Sequence, residues 1–115
     1  MPRPQVKQIW KVALSDAQAN EQQGHRPAIV VSIHPETSMA MIVPFTKNPT
    51  CIRFPYTRQV KRSNANGLIL DSVALIFQMR SLAISETRFI ELMGTIEDNH
   101  LDQIKILIKN YLTIV

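Results

Sequence analysis

Short β-branched and aromatic runs, turn residues at close intervals and one terminal stretch with helical spacing predict a small, mainly β fold. The expected architecture is a barrel of mostly antiparallel strands closed by a C-terminal helix. A chain of 115 residues has room for one hydrophobic core and not for two. It carries no repeat, low-complexity stretch or linker, so a single domain over 1–115 is expected. Hydrophobic residues at 45% and charged residues at 19% exclude a disordered chain.

The elements follow from spacing. Gln8 to Leu14 alternates, with Ile9, Lys11 and Ala13 on one face and Trp10, Val12 and Leu14 on the other. Ser15 to Gly24 is polar and reads as a loop, with Asp16, Asn20 and Gly24 as turn residues. Pro27 to Ile33 is β-branched, as in a well-buried strand. A turn at His34, Pro35 and Glu36 leads to its antiparallel partner, Met39 to Phe45.

A loop at Lys47, Asn48 and Pro49 precedes a polar strand near Phe54 to Val60, and Asn64 to Gly67 is a strong turn signal. Ser72 to Met79 reads as a buried strand and Phe89 to Thr95 as another, in which Gly94 marks a bulge or close packing. From Asp98 onward Leu101, Ile104, Leu107, Ile108, Tyr111 and Leu112 recur at helical spacing, with Lys105 and Lys109 on another face. Glu97, Asp98 and Asp102 near the start and Lys109 near the end suit the helix dipole, and the apolar stripe predicts packing on the barrel.

Composition also narrows the function. No apolar run approaches the roughly 18–20 residues needed to span a bilayer. The stretch from Met1 to Lys7 has no apolar signal-peptide core, so a cytoplasmic protein without a membrane partner is expected. Cys51 is the single cysteine, which excludes an internal disulfide and a cysteine-based zinc cage, and it reads as a packing residue. The net charge of +4 is compatible with a polyanionic partner without specifying one. Arg53, Arg58, Lys61 and Arg62 crowd together with Phe54 and Tyr56 between them. That segment reads equally as a track for a single nucleic-acid strand or as a charged strand edge that blocks edge-to-edge pairing.

The run from Asn20 to Ser32, with Glu21, Gln22, Gln23, Gly24, His25, Arg26 and Pro27 followed by an apolar strand, is similar to the signature loop and second strand of the MazF/PemK toxin family. Ile9 to Val12 resembles the family's first strand, Val43 to Thr46 the end of its third, and Leu70 to Leu82 its late strand and turn. The resemblance covers roughly residues 8 to 113. It implies an SH3-like barrel, a homodimer and the toxin of a type II toxin–antitoxin module that cleaves single-stranded RNA sequence-selectively, with no metal or other cofactor. It also implies a cognate MazE-like antitoxin that neutralises the toxin by binding across its RNA groove.

Such cleavage uses the substrate's 2′-hydroxyl as nucleophile, so the protein must move protons, hold the strand in line and stabilise charge on the phosphoryl oxygens. Arg26 matches the family's catalytic arginine, and its planar guanidinium can grip two phosphate oxygens. Thr46 matches the catalytic threonine; without the resemblance it reads as a turn residue bonding local backbone. His25 and Glu21 are the proton handlers of the same loop. Gln22, Gln78, Arg80, Arg53, Arg58 and Lys61 are the expected RNA contacts. His34 and His100 belong to no motif and read as surface residues of a turn and a helix start.

Two departures stand out. Many family members have an acid where this chain has Phe77, and in some it acts as general base, a role a phenyl ring cannot fill. Where the family commonly has Gly-Asp before the first strand and an acid within it, this chain has Lys7, Gln8 and Ala13. A family member that binds RNA or antitoxin without cutting, and a CcdB-like gyrase inhibitor, are the alternative functions.

Overall fold

Alternation of side chains across the strands sorts the apolar residues into two cores, one on each face of a single antiparallel sheet. A computed structural model describes residues 2–14 and 24–113. Its strands are β1 (Gln8–Ala13), β2 (His25–His34), β3 (Met39–Thr46), β4 (Thr57–Val60), β5 (Ser72–Leu75), β6 (Arg80–Ala83) and β7 (Phe89–Thr95), followed by helix α1 (Asp98–Tyr111). The strands pair in the order β4-β5-β3-β2-β1-β7, with β6 joined to β3 off that path. Among the described residues no pairing links β4 to β7, so the sheet curls without closing into the expected barrel.

On one face Ile9, Ile29, Val43, Phe45 and Ala74 meet Leu101 and Ile104 of α1. On the other Trp10, Val12, Leu14, Val30, Ile42 and Leu82 surround Phe89, whose ring stands edge-on to Trp10 at 5.8 Å. The alternation expected of the first strand is therefore observed, with each of its faces serving a different core. The helix stripe holds at Leu101 and Ile104, which are buried, and at Leu107 and Ile108, which pack partly on the same core. It fails at Tyr111 and Leu112, which are exposed. Tyr111 instead donates to the Phe77 carbonyl at 3.2 Å and sets its ring against Tyr56.

β3 has two partners on one edge. Met39 to Ile42 pair with β6, while Phe45 and Thr46 pair with β5. Pro44, which has no N–H to donate to a ladder, stands at the switch. The registers of β5 and β6 against β3 are offset, and a 3-10 turn at Ile76–Gln78 takes up the difference. That offset splits the continuous strand expected from Ser72 to Met79 and adds β6, whose single inward apolar residue, Leu82, gave too weak a pattern to read. The strand expected from Phe54 begins only at Thr57, because Tyr56 takes a left-handed backbone (φ 59°) and Thr57 Oγ1 donates to the Phe54 carbonyl. A second 3-10 turn, Pro49–Arg53, fills the preceding loop and is capped by Asn48, whose side chain accepts from the Thr50 N–H.

Lys7 and Gln8 are each held by several bonds at the entry to β1. Lys7 adopts φ 83°, a conformation that favours glycine, and is held by its backbone bonds to Val30 and Ile96 and by an ion pair from Nζ to Asp98. Gln8 Oε1 accepts from the Gln5 N–H and from Trp10 Nε1.

The turn at Asn64 to Gly67 is tightly packed against β7. Asn66 is fully buried; its Oδ1 accepts from the N–H groups of Ser63 and Leu68, and its Nδ2 donates to the Lys61 carbonyl and to Glu97. Glu97, just before α1, also accepts from Ser63 Oγ at 2.6 Å. Burial would raise the Glu97 carboxyl, but hydrogen bonds from Ser63, its own backbone and Asn66, with His100 nearby, hold it below its ordinary value. Gly67 takes φ 72°, and a Cβ there would meet the Met93 carbonyl oxygen; a Cβ on Gly94 would meet the Ala65 carbonyl oxygen. Gly94 thus serves both expected purposes, since β7 also bulges beside it where the register against β1 shifts between Ile9 and Trp10.

Two substitutions test this turn by urea denaturation. Gly94→Ala must push backbone against backbone and is expected to cost at least about 2 kcal/mol of unfolding free energy. Asn66→Ala strands the N–H groups of Ser63 and Leu68, the second of them buried, and is expected to cost about 2 kcal/mol.

Candidate active site

Strand register brings Arg26 and Thr46 together. Ala28 on β2 pairs with Pro44 on β3, and antiparallel chains continued two residues further place Arg26 beside Thr46. On the far side of β2, Val12 pairs with Arg26 and Lys11 with Pro27, while Thr46 pairs with Val73 next to Ser72. The result is a cavity of about 190 Å³ lined by Lys11, His25, Arg26, Thr46, Lys47 and Ser72 over a floor that includes Phe45. His25 is exposed at the start of β2, just after Gly24, whose left-handed turn (φ 74°) lets its carbonyl accept from the Leu14 N–H. Arg26 is half-buried.

Thr46 is only 7% exposed, and its hydroxyl oxygen accepts from the Asn48 N–H at 3.3 Å. That bond is the local turn contact such a threonine makes on any strand end. It also fixes Oγ1 at the cavity wall while the hydroxyl proton remains a donor. Three permanent cations and one histidine face this space, and no carboxylate lines it among the described residues. A site of that composition attracts a phosphodiester and favours the extra negative charge of a pentavalent phosphoryl group. Among the described residues no cluster of three or more His, Cys, Asp or Glu side chains is arranged to hold a metal ion.

The expected site residues divide sharply. Arg26, Thr46 and His25 converge, whereas Glu21 and Gln22 lie outside the described residues. Gln78 lines a separate, largely apolar cavity of about 640 Å³ with Phe54, Tyr56, Phe77 and Tyr111, and Cys51 contributes to its wall. Phe77 stands edge-on to Phe54 there at 6.0 Å. Arg80 opens β6 opposite Ile42. Arg53 is exposed and lies over the Phe54 ring at 4.9 Å, and Lys61 is exposed beyond β4.

Arg58 points to the helix, where its Nε donates to His100 Nδ1 at 3.0 Å. Within the expected basic track the contacts differ from residue to residue. Its aromatics pack edge-on against Phe77 and Tyr111, and Arg58 is bound to α1. His100 is half-buried and bonded, not the surface residue expected, while His34 is exposed in its turn as expected. Lys11, Lys47 and Ser72 are the cavity residues that the motifs did not single out. Lys47 directly follows Thr46, and Lys11 lies one pairing step from Arg26, so the hairpin register was the signal that would have found both.

A family model described as the PemK-like, MazF-like toxin of type II toxin–antitoxin systems matches residues 5–112. Among solved structures, MazF of Deinococcus radiodurans (Form-I) is similar over 99% of this chain and 100% of its own, at 19% identity and a TM-score of 0.82. A MazE–MazF structure (Form-II) from the same organism is similar over the whole of both chains, at 19% identity and a TM-score of 0.72. An endoribonuclease in complex with its cognate antitoxin from a mycobacterial species is similar over 98% of this chain and 100% of its own, at 14% identity and a TM-score of 0.70. These likenesses establish a shared fold.

The Arg58–His100 bond requires a neutral imidazole as acceptor. Burial and then the Arg58 charge lower the His100 pKa below its ordinary 6.5, while Glu97 opposes them. A group with a depressed folded pKa contributes stability that is complete above its unfolded pKa and is lost as pH falls. Unfolding free energy is therefore expected to decline below about pH 6.5 through this residue. A proton-NMR titration should place the His100 midpoint below 6.5, and Arg58→Ala should move it upward.

Proposed function

The chain belongs to the PemK-like, MazF-like toxins of type II toxin–antitoxin systems, and from that premise we propose that it is a metal-independent endoribonuclease that cuts single-stranded mRNA in the cytoplasm. The observation that carries this reading is the convergence of Arg26 and Thr46, from different strands, on one cationic cavity. A scissile phosphate seated there is gripped by the Arg26 guanidinium through two non-bridging oxygens. The Thr46 hydroxyl donates to one of those oxygens as charge builds up on the phosphoryl group. Lys11 and Lys47 supply further positive charge around the strand.

The 2′-hydroxyl oxygen attacks the adjacent phosphorus and the bond from phosphorus to the 5′-oxygen breaks. The proton lost from the 2′-hydroxyl is taken up by a base, and the departing 5′-oxygen receives one from an acid. The products are a 2′,3′-cyclic phosphate and a 5′-hydroxyl end. His25, in the cavity lining, and Glu21, which precedes it in the sequence, are the residues proposed for these transfers. Phe77 is excluded from them by its chemistry, and its surroundings are those of a packing residue.

The active species is proposed to be a homodimer. A cognate MazE-like antitoxin is its proposed partner, binding across the RNA groove. In support, two of the structural neighbours are toxin–antitoxin complexes. Phe77 also favours one second reading, in which the chain binds RNA or antitoxin without cutting.

Incubation of the purified protein with a long single-stranded RNA in chelator separates the two. Discrete fragments with cyclic-phosphate ends are expected, with Arg26→Ala slowing cleavage by at least about a hundredfold and Thr46→Ala by a smaller factor. Intact RNA from the folded wild-type protein would leave only the binding role.

A further inference from the structure

The cavity has an apolar rim that the cleavage chemistry does not use. Ile69 and Leu70 line it while remaining 77% and 51% exposed. Two adjacent large aliphatic side chains left in water forgo roughly 25 cal/mol for every Å² not buried. They are nevertheless held firmly. On one side the Leu68 N–H donates to Asn66 Oδ1 at 3.0 Å, and the Leu68 side chain is in the core. On the other, Asp71 Oδ1 accepts from the Arg62 N–H and Ser72 Oγ donates to the Leu70 carbonyl, both at 2.8 Å. A rigid, exposed apolar ledge thus borders a wall carrying Lys11, Arg26 and Lys47.

A nucleotide presents the matching pair of surfaces, an anionic phosphate joined to a flat base with apolar faces. We propose that Ile69 and Leu70 are specificity-determining residues that support the nucleobase beside the scissile phosphate. This inference rests on the RNA-cutting reading and deepens it. The phosphate on the cations fixes where the strand lies, and the adjoining base is then carried onto the nearest apolar surface. Neither side chain has a donor or acceptor, so the ledge selects by the size and placement of the base and not by its hydrogen-bonding edge. Discrimination of this kind is modest, about ten- to two-hundredfold for a pocket differing by one or a few methylenes.

The test compares wild-type protein with Ile69→Ser, Leu70→Ser and the double variant, cutting one long single-stranded RNA in chelator, with the relative kcat/KM of each site read from the cut map. Thermal unfolding and sedimentation are run alongside; both side chains are exposed, so the serine variants are expected to fold and to sediment as the wild type does. The double variant should still cut, with its preference among the four bases next to the cut reduced about tenfold. An unchanged ranking of sites, whether at full rate or uniformly slowed, would overturn the role of the ledge while leaving the nuclease intact. A change to a smaller species in sedimentation would also overturn it, making the ledge a contact between two copies of the chain. Loss of neutralisation by a bound antitoxin with an unaltered cut map would do so too, making it an antitoxin contact. Wild-type protein that leaves the RNA intact would overturn the nuclease reading itself, and the ledge with it.

Discussion

The buried carboxamide of Asn66 is the constraint on which the rest of the molecule turns. A fully buried amide is tolerable only when each of its donors and acceptors is used, and here it ties its own turn to the Lys61 carbonyl on one side and to Glu97 on the other. Through Glu97 the start of α1 is fixed over the core. Through Gly67 and Gly94 the turn lies directly against β7, with the Thr95 N–H bonded to the Ala65 carbonyl at 2.8 Å. Leu68 is then anchored and the chain from Ile69 to Ser72 is delivered to the cavity rim. A polar knot bonded to Leu68 in the cavity wall therefore helps set the shape of that cavity.

Much of this was legible in the residues. Asn64 to Gly67 announced a turn, Gly94 a close approach, and the alternation from Ile9 to Leu14 a strand with two useful faces. What the sequence could not express was pairing. Ser72 to Met79 is mostly apolar and looks continuous, yet β3 accepts β5 and β6 in different registers and the chain must break between them. Closure was likewise invisible: spacing predicts strands, but whether the outermost two meet depends on curvature accumulated over the whole sheet.

The site shows the same division. His25, Arg26 and Thr46 stood out by resemblance, and the register of β2 against β3 explains physically why residues far apart in the chain should act together. The basic cluster from Arg53 to Arg62 was conspicuous in the sequence; in the structure Arg58 is bonded to the helix, and Phe54 and Tyr56 line a second cavity. Lys11 and Lys47, inconspicuous as single charges among thirteen basic residues, do line the cavity. Charge density along a chain is a poor guide to charge density in space when strands diverge every few residues.

The pairing of β1 with β7 bears on how the molecule comes into being. The earliest strand off the ribosome can acquire its second neighbour only after nearly all the other strands have been made. Contacts of such large sequence separation are entropically costly to close and slow to form. Met93 of β7, with Leu68, Ile69, Leu70 and Ser72, also lines the cavity around Arg26. A nascent chain therefore carries its arginine long before the cavity around it can be completed, because that cavity waits on β7.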